Sequence, residues 1–280
     1  MKNLVLGSSG QVGSALTKFL IEQKQEVLEF DLVRSQQEDL RIPRNEILRQ
    51  HLLNADFVFF LAFDVGGSRY LKTYQHTFDF LFNNTRLMAN TFELLRESQT
   101  PFIFASSQMS NMNFSPYGAL KALGECYTRS LNGIIVKFWN VYGIEHDIDK
   151  AHVITDFISK ARDLRRIDML TDGTEERQFL YADDCSECLF LLSQMYNKLD
   201  RNRELHITSF EWVKILDIAA IVTDLFPGTA VLPAESKDDL QKGQRNEPDV
   251  YILQHWRPRT SLQEGIAQIV SHDLLKQKEE

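Results

Sequence analysis

Residues 3–6 form a short apolar run that ends in a glycine turn, after which Val12, Leu16, Phe19 and Leu20 recur on one helical face. A second apolar run, VLEFD, ends at Asp31, and a third, FVFFLAF, spans residues 57–63. Helical sequence over about 83–97 leads to a fourth strand at 102–105, a helix over 117–131 and a fifth strand at 134–138. Near-continuous apolar strands alternating with amphipathic helices predict a parallel sheet covered on both faces, the doubly wound α/β class of the Rossmann type. In such a sheet ligands bind beyond the carboxyl ends of the strands. The rhythm then breaks. Residues 144–176 and 210–280 carry helices and polar loops, which predicts a smaller mixed C-terminal substrate-binding lobe. Residues 1–143 with about 177–209 are expected to form the Rossmann-type domain.

Composition adds limits. At 280 residues, 43% hydrophobic and 25% charged, the chain can bury a large core without disulfides or metal. A net charge of −8 gives no footprint for nucleic acid or an anionic membrane surface. No apolar run reaches the roughly 18 residues of a membrane span, and the N-terminus lacks a secretory signal pattern. Cys185 and Cys188 form a lone C-x-x-C, read as small residues on an apolar helix, and no histidine pair has metal-ligand spacing. A soluble protein of the reducing cytoplasm, without metal, is expected.

Gly7-Ser-Ser-Gly10-Gln-Val-Gly13 lies between the first strand and the first helix. Gly7 suits a tight turn, Gly10 lets backbone approach a pyrophosphate, and Gly13 lets helix and strand pack closely. The helix N-terminus offers free N–H groups to phosphates. Asp31, ending the next strand, can accept from both ribose hydroxyls and repels a 2′-phosphate, which favours NAD over NADP; Arg34 nearby is the counter-argument. Asp39 and Leu40 are expected at the adenine edge.

Tyr117-Gly-Ala-Leu-Lys121 opens a helix ten residues after Ser107, itself just beyond the fourth strand. Positions i and i+4 share a helix face, so the Lys121 ammonium is expected to lower the pKa of the Tyr117 phenol and to reach the nicotinamide ribose. Ser107 would hold the substrate oxygen while Tyr117 exchanges its proton as hydride moves.

Together these segments resemble the extended short-chain dehydrogenase/reductase family, in its NAD-dependent epimerase/dehydratase branch. The resemblance runs through GSSGQVG, the strand-end acid, LAFDVGG, FASS, YGALKALGE, NVYG, DGTEERQFLYADD and WRPRTSLQEG. It implies chemistry on sugars carried by a nucleoside diphosphate. It further implies cofactor contacts from Ser9, Gln11, Val12, Leu61, Ala62 and Asn83, and substrate contacts from Gln108 and Asn140. Arg177 and Arg245 match the family's diphosphate-binding arginines, a role suited to a planar donor fork. A family homodimer through the helices around 83–97 and 117–131 is also implied.

Two departures narrow the reaction. The loop between Ser107 and Tyr117 is short, and Gln108 and Met109 stand where dehydratases of the branch carry Asp-Glu and some epimerases a cysteine; neither exchanges protons at neutral pH. Hydride transfer at one carbon survives, as a C4-type epimerase or, alternatively, a one-way dehydrogenase or a keto-sugar reductase like GDP-fucose synthase. The VGG after the third strand is similar to that group, whose members use an acid beyond the NVYG turn; His146 is the candidate here. Two other classes stay open: a dinucleotide-binding protein without turnover, which needs no Ser107/Tyr117/Lys121 set, and a dehydrogenase of a free metabolite, which needs no arginine pair.

Overall fold

The computed structural model describes residues 1–112, 114–145, 147–238 and 246–276. In chain order β1 (Lys2–Leu6), α1 (Gln11–Glu22), β2 (Glu26–Phe30), α2 (Glu46–Asn54) and β3 (Phe57–Phe60) alternate as the apolar pattern requires. Next come α3 (Ser68–Tyr74), α4 (Phe78–Ser98), β4 (Phe102–Ser107), α5 (Pro116–Ser130) and β5 (Ile134–Phe138). The later part adds β6 (Asn140–Tyr142), α6 (Val153–Leu164), β7 (Arg166–Asp168), β8 (Glu176–Arg177), β9 (Phe179–Tyr181) and α7 (Ala182–Gln194). It ends with β10 (Leu205–Ile207), β11 (Val213–Lys214), α8 (Ile215–Leu225), β12 (Ala230–Leu232) and α9 (Leu262–Lys276).

Six strands pair in the order β10-β5-β4-β3-β1-β2, every pair parallel. The chain leaves β1 toward β2 on one side and returns to β3 on the other, so the order reverses between β1 and β3. That reversal opens a crevice at the carboxyl ends of the strands. Period-2 alternation divides the core. Leu4, Leu6, Val58, Phe60, Phe102 and Phe104 pack toward α2, α4 and α5, whereas Val5, Phe57, Phe59 and Ile103 pack toward α1 and α7. Because both faces are covered, the strands read as continuous apolar runs rather than alternating ones.

The third strand is shorter than its apolar run. It stops at Phe60, and residues 61–63 leave the ladder to line the crevice. A third cluster, built from Ile154, Phe157 and Ile158 of α6, Ile218 and Val222 of α8, and Ile266 of α9, gives the later segments a core of their own. One part of 210–280 departs from the expected lobe. Tyr251, Ile252 and Trp256 bury in the α1/α7-side cluster, where they cover apolar surface beside β10 and α7.

Candidate active site

The glycine turn is shaped by its backbone. Gly7 has φ +87°, and a Cβ there would come within 2.8 Å of the Ala62 backbone. A Cβ on Gly13 would overlap the carbonyl oxygen of Gly7. At Gly10 the nearest atom to an added Cβ is Gly7 O at 3.4 Å, so that position is open, as a cradle for a pyrophosphate needs. Asp31 is tied to the same turn: Ser9 N–H donates to Oδ2 at 2.9 Å and Val33 N–H to Oδ1 at 2.8 Å. Glu38 joins it by accepting from Asp31 N–H at 3.0 Å. Arg34 is held by Glu29 at 3.1 Å and approaches Glu38 at 3.9 Å. Two carboxylates and an already paired arginine form a poor seat for a 2′-phosphate and a good one for ribose hydroxyls. These residues fit NAD.

Asp31→Ala should weaken NAD by roughly 10- to 100-fold, the worth of hydrogen bonds to a charged group, and NADP much less. Parallel titration of both cofactors checks this; equal losses would remove Asp31 from cofactor choice.

Asp39 takes the guanidinium of Arg41 in a fork, with contacts of 2.8 to 3.0 Å. Burial pushes its carboxyl up, and the Arg41 bonds more than reverse this, leaving it below its ordinary value. The Leu40 carbonyl accepts from Asn90 at 3.0 Å.

At the other end, Ser115 caps α5 by accepting from Gly118 N–H at 3.2 Å, and Pro116 occupies the first turn. Tyr117 is thereby set at the helix mouth, where its phenol hydrogen-bonds with the Ser107 hydroxyl. Ser107 Oγ also accepts from Met109 N–H at 3.1 Å. Lys121 is 3% exposed and donates to the Ala105 carbonyl at 2.7 Å, with its ammonium 3.8 Å above the Phe63 ring. The ammonium lies 5.8 Å from the Tyr117 ring centre.

The electrostatics differ from the expectation that Lys121 acidifies Tyr117. Burial pushes the phenol up to about 12, and the Ser107 bond only partly opposes it. Burial likewise pushes the Lys121 amine down to about 7 against the pull of Glu125. The reason is that both side chains are shut away from water among apolar neighbours, and the ring faces of Phe63 and Phe104 beside the Lys121 ammonium do not replace its lost hydration. A base whose folded pKa lies below its unfolded one binds fewer protons when folded, so stability rises with pH between about 7 and 10.5. Lys121→Met should therefore raise the melting temperature at pH 6 and lose most of that advantage by pH 10. A constant difference across that range would contradict the shift.

The glycine turn, Asp31, Ser107, Tyr117 and Lys121 face one cleft of about 1090 Å³. Its walls hold Gly7, Ser9, Gly10, Gln11, Val12, Gly13, Asp31, Asp39, Leu40, Leu61, Ala62 and Asn83 toward one end. Ser107, Gln108, Tyr117, Lys121, Asn140 and Arg177 line the same cleft. Arg245 and His146 lie outside the described residues. Several walls carry more than the expected role. Gln108 accepts twice from Asn246 Nδ2, through its backbone oxygen at 2.7 Å and Oε1 at 2.6 Å, which ties the segment after residue 245 to the site. Asn140 donates to the Gln178 carbonyl at 3.1 Å, joining β6 to β9. Arg177 pairs with Asp238. Asn83 lines the rim, but its neighbour Asn84 is the fully buried one. Asn84 accepts from Asp64 N–H at 2.8 Å and donates to its carbonyl at 3.0 Å, fixing the turn after β3.

Two groups escaped the sequence reading. Asp64 accepts from Lys150 at 2.9 Å and from Tyr70 at 2.8 Å, latching the VGG turn to the segment after β6. Glu145 and His152 form a dyad with Oε1 to Nδ1 at 2.6 Å, and His152 N–H donates to Oε2 at 3.0 Å. Both line the cleft. With Nδ1 committed to the carboxylate, Nε2 is the ring nitrogen left for proton exchange. The signal available in the sequence was a histidine seven residues from an acid, too loose to single out.

Residues 3–208 match the profile of the NAD-dependent epimerase/dehydratase family. GDP-L-fucose synthase of Sinorhizobium fredii is 27% identical over 94% of this chain and 92% of its own length. UDP-glucose 4-epimerase of Thermotoga maritima, solved with UDP-glucose, superposes with a TM-score of 0.80 at 18% identity, covering 99% of this chain and 100% of that one. UDP-N-acetylglucosamine 4-epimerase of Methanobrevibacter ruminantium gives a TM-score of 0.80 at 20% identity over 98% of both chains. At these identities the structures speak for the fold, and the profile match, spanning the glycine turn, Asp31, Ser107, Tyr117 and Lys121, shows that this chain belongs to the NAD-dependent epimerase/dehydratase family.

Proposed function

We propose that this enzyme epimerises the sugar of a nucleoside-diphosphate sugar by oxidising and re-reducing one carbon, as a C4-type epimerase. The observation that carries the reading is the convergence of Ser107, Tyr117 and Lys121 on the cleft that the glycine turn and Asp31 open. When bound, NAD supplies the hydride acceptor and donor. Tyr117 Oη takes the proton of the reacting hydroxyl and returns it, and the Ser107 hydroxyl orients that oxygen beside the phenol. Lys121, fixed by the Ala105 carbonyl, holds the cofactor-side ribose and, when charged, favours the phenolate. Arg177 turns from Asp238 to the diphosphate, which Arg245 also contacts; Gln108 and Asn140 bound the sugar.

The test is to denature the purified protein, identify what it releases by mass spectrometry, and incubate fresh protein with UDP-glucose, UDP-N-acetylglucosamine and their GDP counterparts. Released NAD with interconversion of C4 epimers is expected. An empty site with consumption of NADPH on a keto sugar would replace this reading by a reductase. That second reading has its own observation, the Glu145–His152 dyad, which adds a proton donor that oxidation and re-reduction at one carbon do not require. The likeness to GDP-L-fucose synthase supports it too.

The reading extends to a homodimer in the cytoplasm. Phe78 and Phe82 on α4 stack at 5.2 Å while 73% and 44% exposed, and Leu123 and Tyr127 on α5, the helix that packs against α4, are exposed too, Tyr127 stacking on Phe92 further along α4. Such a stripe suits a second copy. The three cysteines are free, in keeping with a reducing compartment, and among the described residues no helix is long and apolar enough to cross a membrane.

A further inference from the structure

Beneath the reacting end of the cleft runs a chain of polar side chains that the proposed chemistry does not use. Lys137 on β5 is 1% exposed, and its ammonium donates to Glu204 Oε1 at 2.6 Å and to Asn111 Oδ1 at 3.1 Å. Glu125 of α5 lies 3.8 Å from the same ammonium, and its Oε1 accepts from the Ser106 hydroxyl at 2.6 Å. The second oxygen of Glu204 meets His206 Nε2 at 2.8 Å, and His206 Nδ1 meets the indole nitrogen of Trp139 at 3.0 Å. An indole N–H only donates. His206 Nδ1 is therefore the acceptor, and the imidazole is neutral with its proton on Nε2, given to Glu204.

The ends of this chain all reach the site. Trp139 lines the cleft beside Asn140. Ser106 precedes Ser107, Asn111 closes the turn that follows it, and Glu125 lies one helical turn beyond Lys121. A buried ammonium is costly unless its partners hold it, and each partner is in turn fixed by the charge. Packing alone would be served by an apolar side chain at 137. The ammonium instead fixes three partners at once, Glu204, Asn111 and Glu125.

We propose that Lys137 is a positioning residue for the reacting end of the cleft, orienting Trp139 against the substrate sugar through Glu204 and His206, and the Ser107 and Lys121 segments through Asn111 and Glu125. The inference rests on the reading of Ser107, Tyr117 and Lys121 as the reacting set.

Glu204→Gln is the sharpest test, because an amide has one acceptor where the carboxylate has two and cannot serve both Lys137 and His206. With the nucleotide sugar identified by the interconversion assay, kcat should fall roughly 10- to 100-fold while bound NAD is retained. Trp139 fluorescence, taken as the difference from the matching Trp139→Phe protein, should change. In the Trp139→Phe background Glu204→Gln should produce little further loss. Lys137→Met should lose at least as much and Lys137→Arg should recover most of it; if Lys137→Met does not fold, the Glu204 cycle decides. Turnover of Glu204→Gln within twofold of wild type, or an equal loss with and without Trp139, overturns the proposal. Tyr117→Phe run alongside separates the failures: full turnover there removes the reacting set itself, whereas its loss beside an unaltered Glu204→Gln removes only the role of Lys137.

Discussion

Tyr117→Phe should lower turnover by roughly 10²- to 10⁴-fold, the usual worth of a positioned proton carrier, while fold and bound NAD persist. The substitution removes one oxygen and keeps the ring, whose edge-to-face contact with Phe63 has centroids 5.7 Å apart. Ser107 keeps its bond from Met109 N–H, so its hydroxyl stays anchored. Lys121 keeps the Ala105 carbonyl and the Phe63 face. Nothing else at the helix mouth has reason to move, because Ser115 and Pro116 set where α5 begins. The loss should thus appear in kcat, with NAD released on denaturation in the wild-type amount. Turnover within tenfold of wild type would show that the phenol is not the proton carrier.

Gly13→Ala should be the most damaging alanine substitution among the described glycines, since its Cβ would make the closest contact of any of them. The added carbon would overlap the Gly7 carbonyl and come within 2.8 Å of its carbon, so the contact is backbone on backbone, with no flexible side chain to yield. Overpacking of this kind costs roughly 1–3 kcal/mol, occasionally more. Relief would have to come from shifting α1 off the turn, which dismantles the site that presents N–H groups to the pyrophosphate. Loss of NAD binding together with a lower denaturation midpoint is expected. Gly10→Ala is the control, since its Cβ would find only Gly7 O, at 3.4 Å. It should leave the apo-protein's stability nearly unchanged while weakening the dinucleotide. Equal destabilisation by both substitutions would refute the distinction between a packing glycine and a ligand-facing one.

What the sequence by itself determined is what short-range chemistry dictates. The order and type of the first five strands follow from apolar runs whose periodicity is fixed by backbone geometry. The glycine turn, Asp31 and the Tyr117/Lys121 pair rest on spacings of a few residues, where the chain's own stereochemistry leaves little choice. A helix turning about 100° per residue already shows the limit. Asn83 and Asn84 are equivalent as letters, yet only Asn84 points into the fold and fixes Asp64. Likewise nothing in the local pattern marks His152 as the partner of Glu145; the two meet because α6 begins at that point and brings the residue before its first turn back to the carboxylate.

The tertiary structure alone decided the rest. Lys150 meets Asp64, Asn246 meets Gln108, and Lys137 meets Glu204 across wide gaps in sequence, through packing that no local pattern encodes. The charge states of Tyr117 and Lys121 belong to the same class. Their helical spacing brings the two groups near each other, but burial decides the environment of both, with Phe63, beyond β3, against both and Phe104, inside β4, against Lys121. Proximity is a property of the local chain, whereas desolvation is a property of everything that surrounds it.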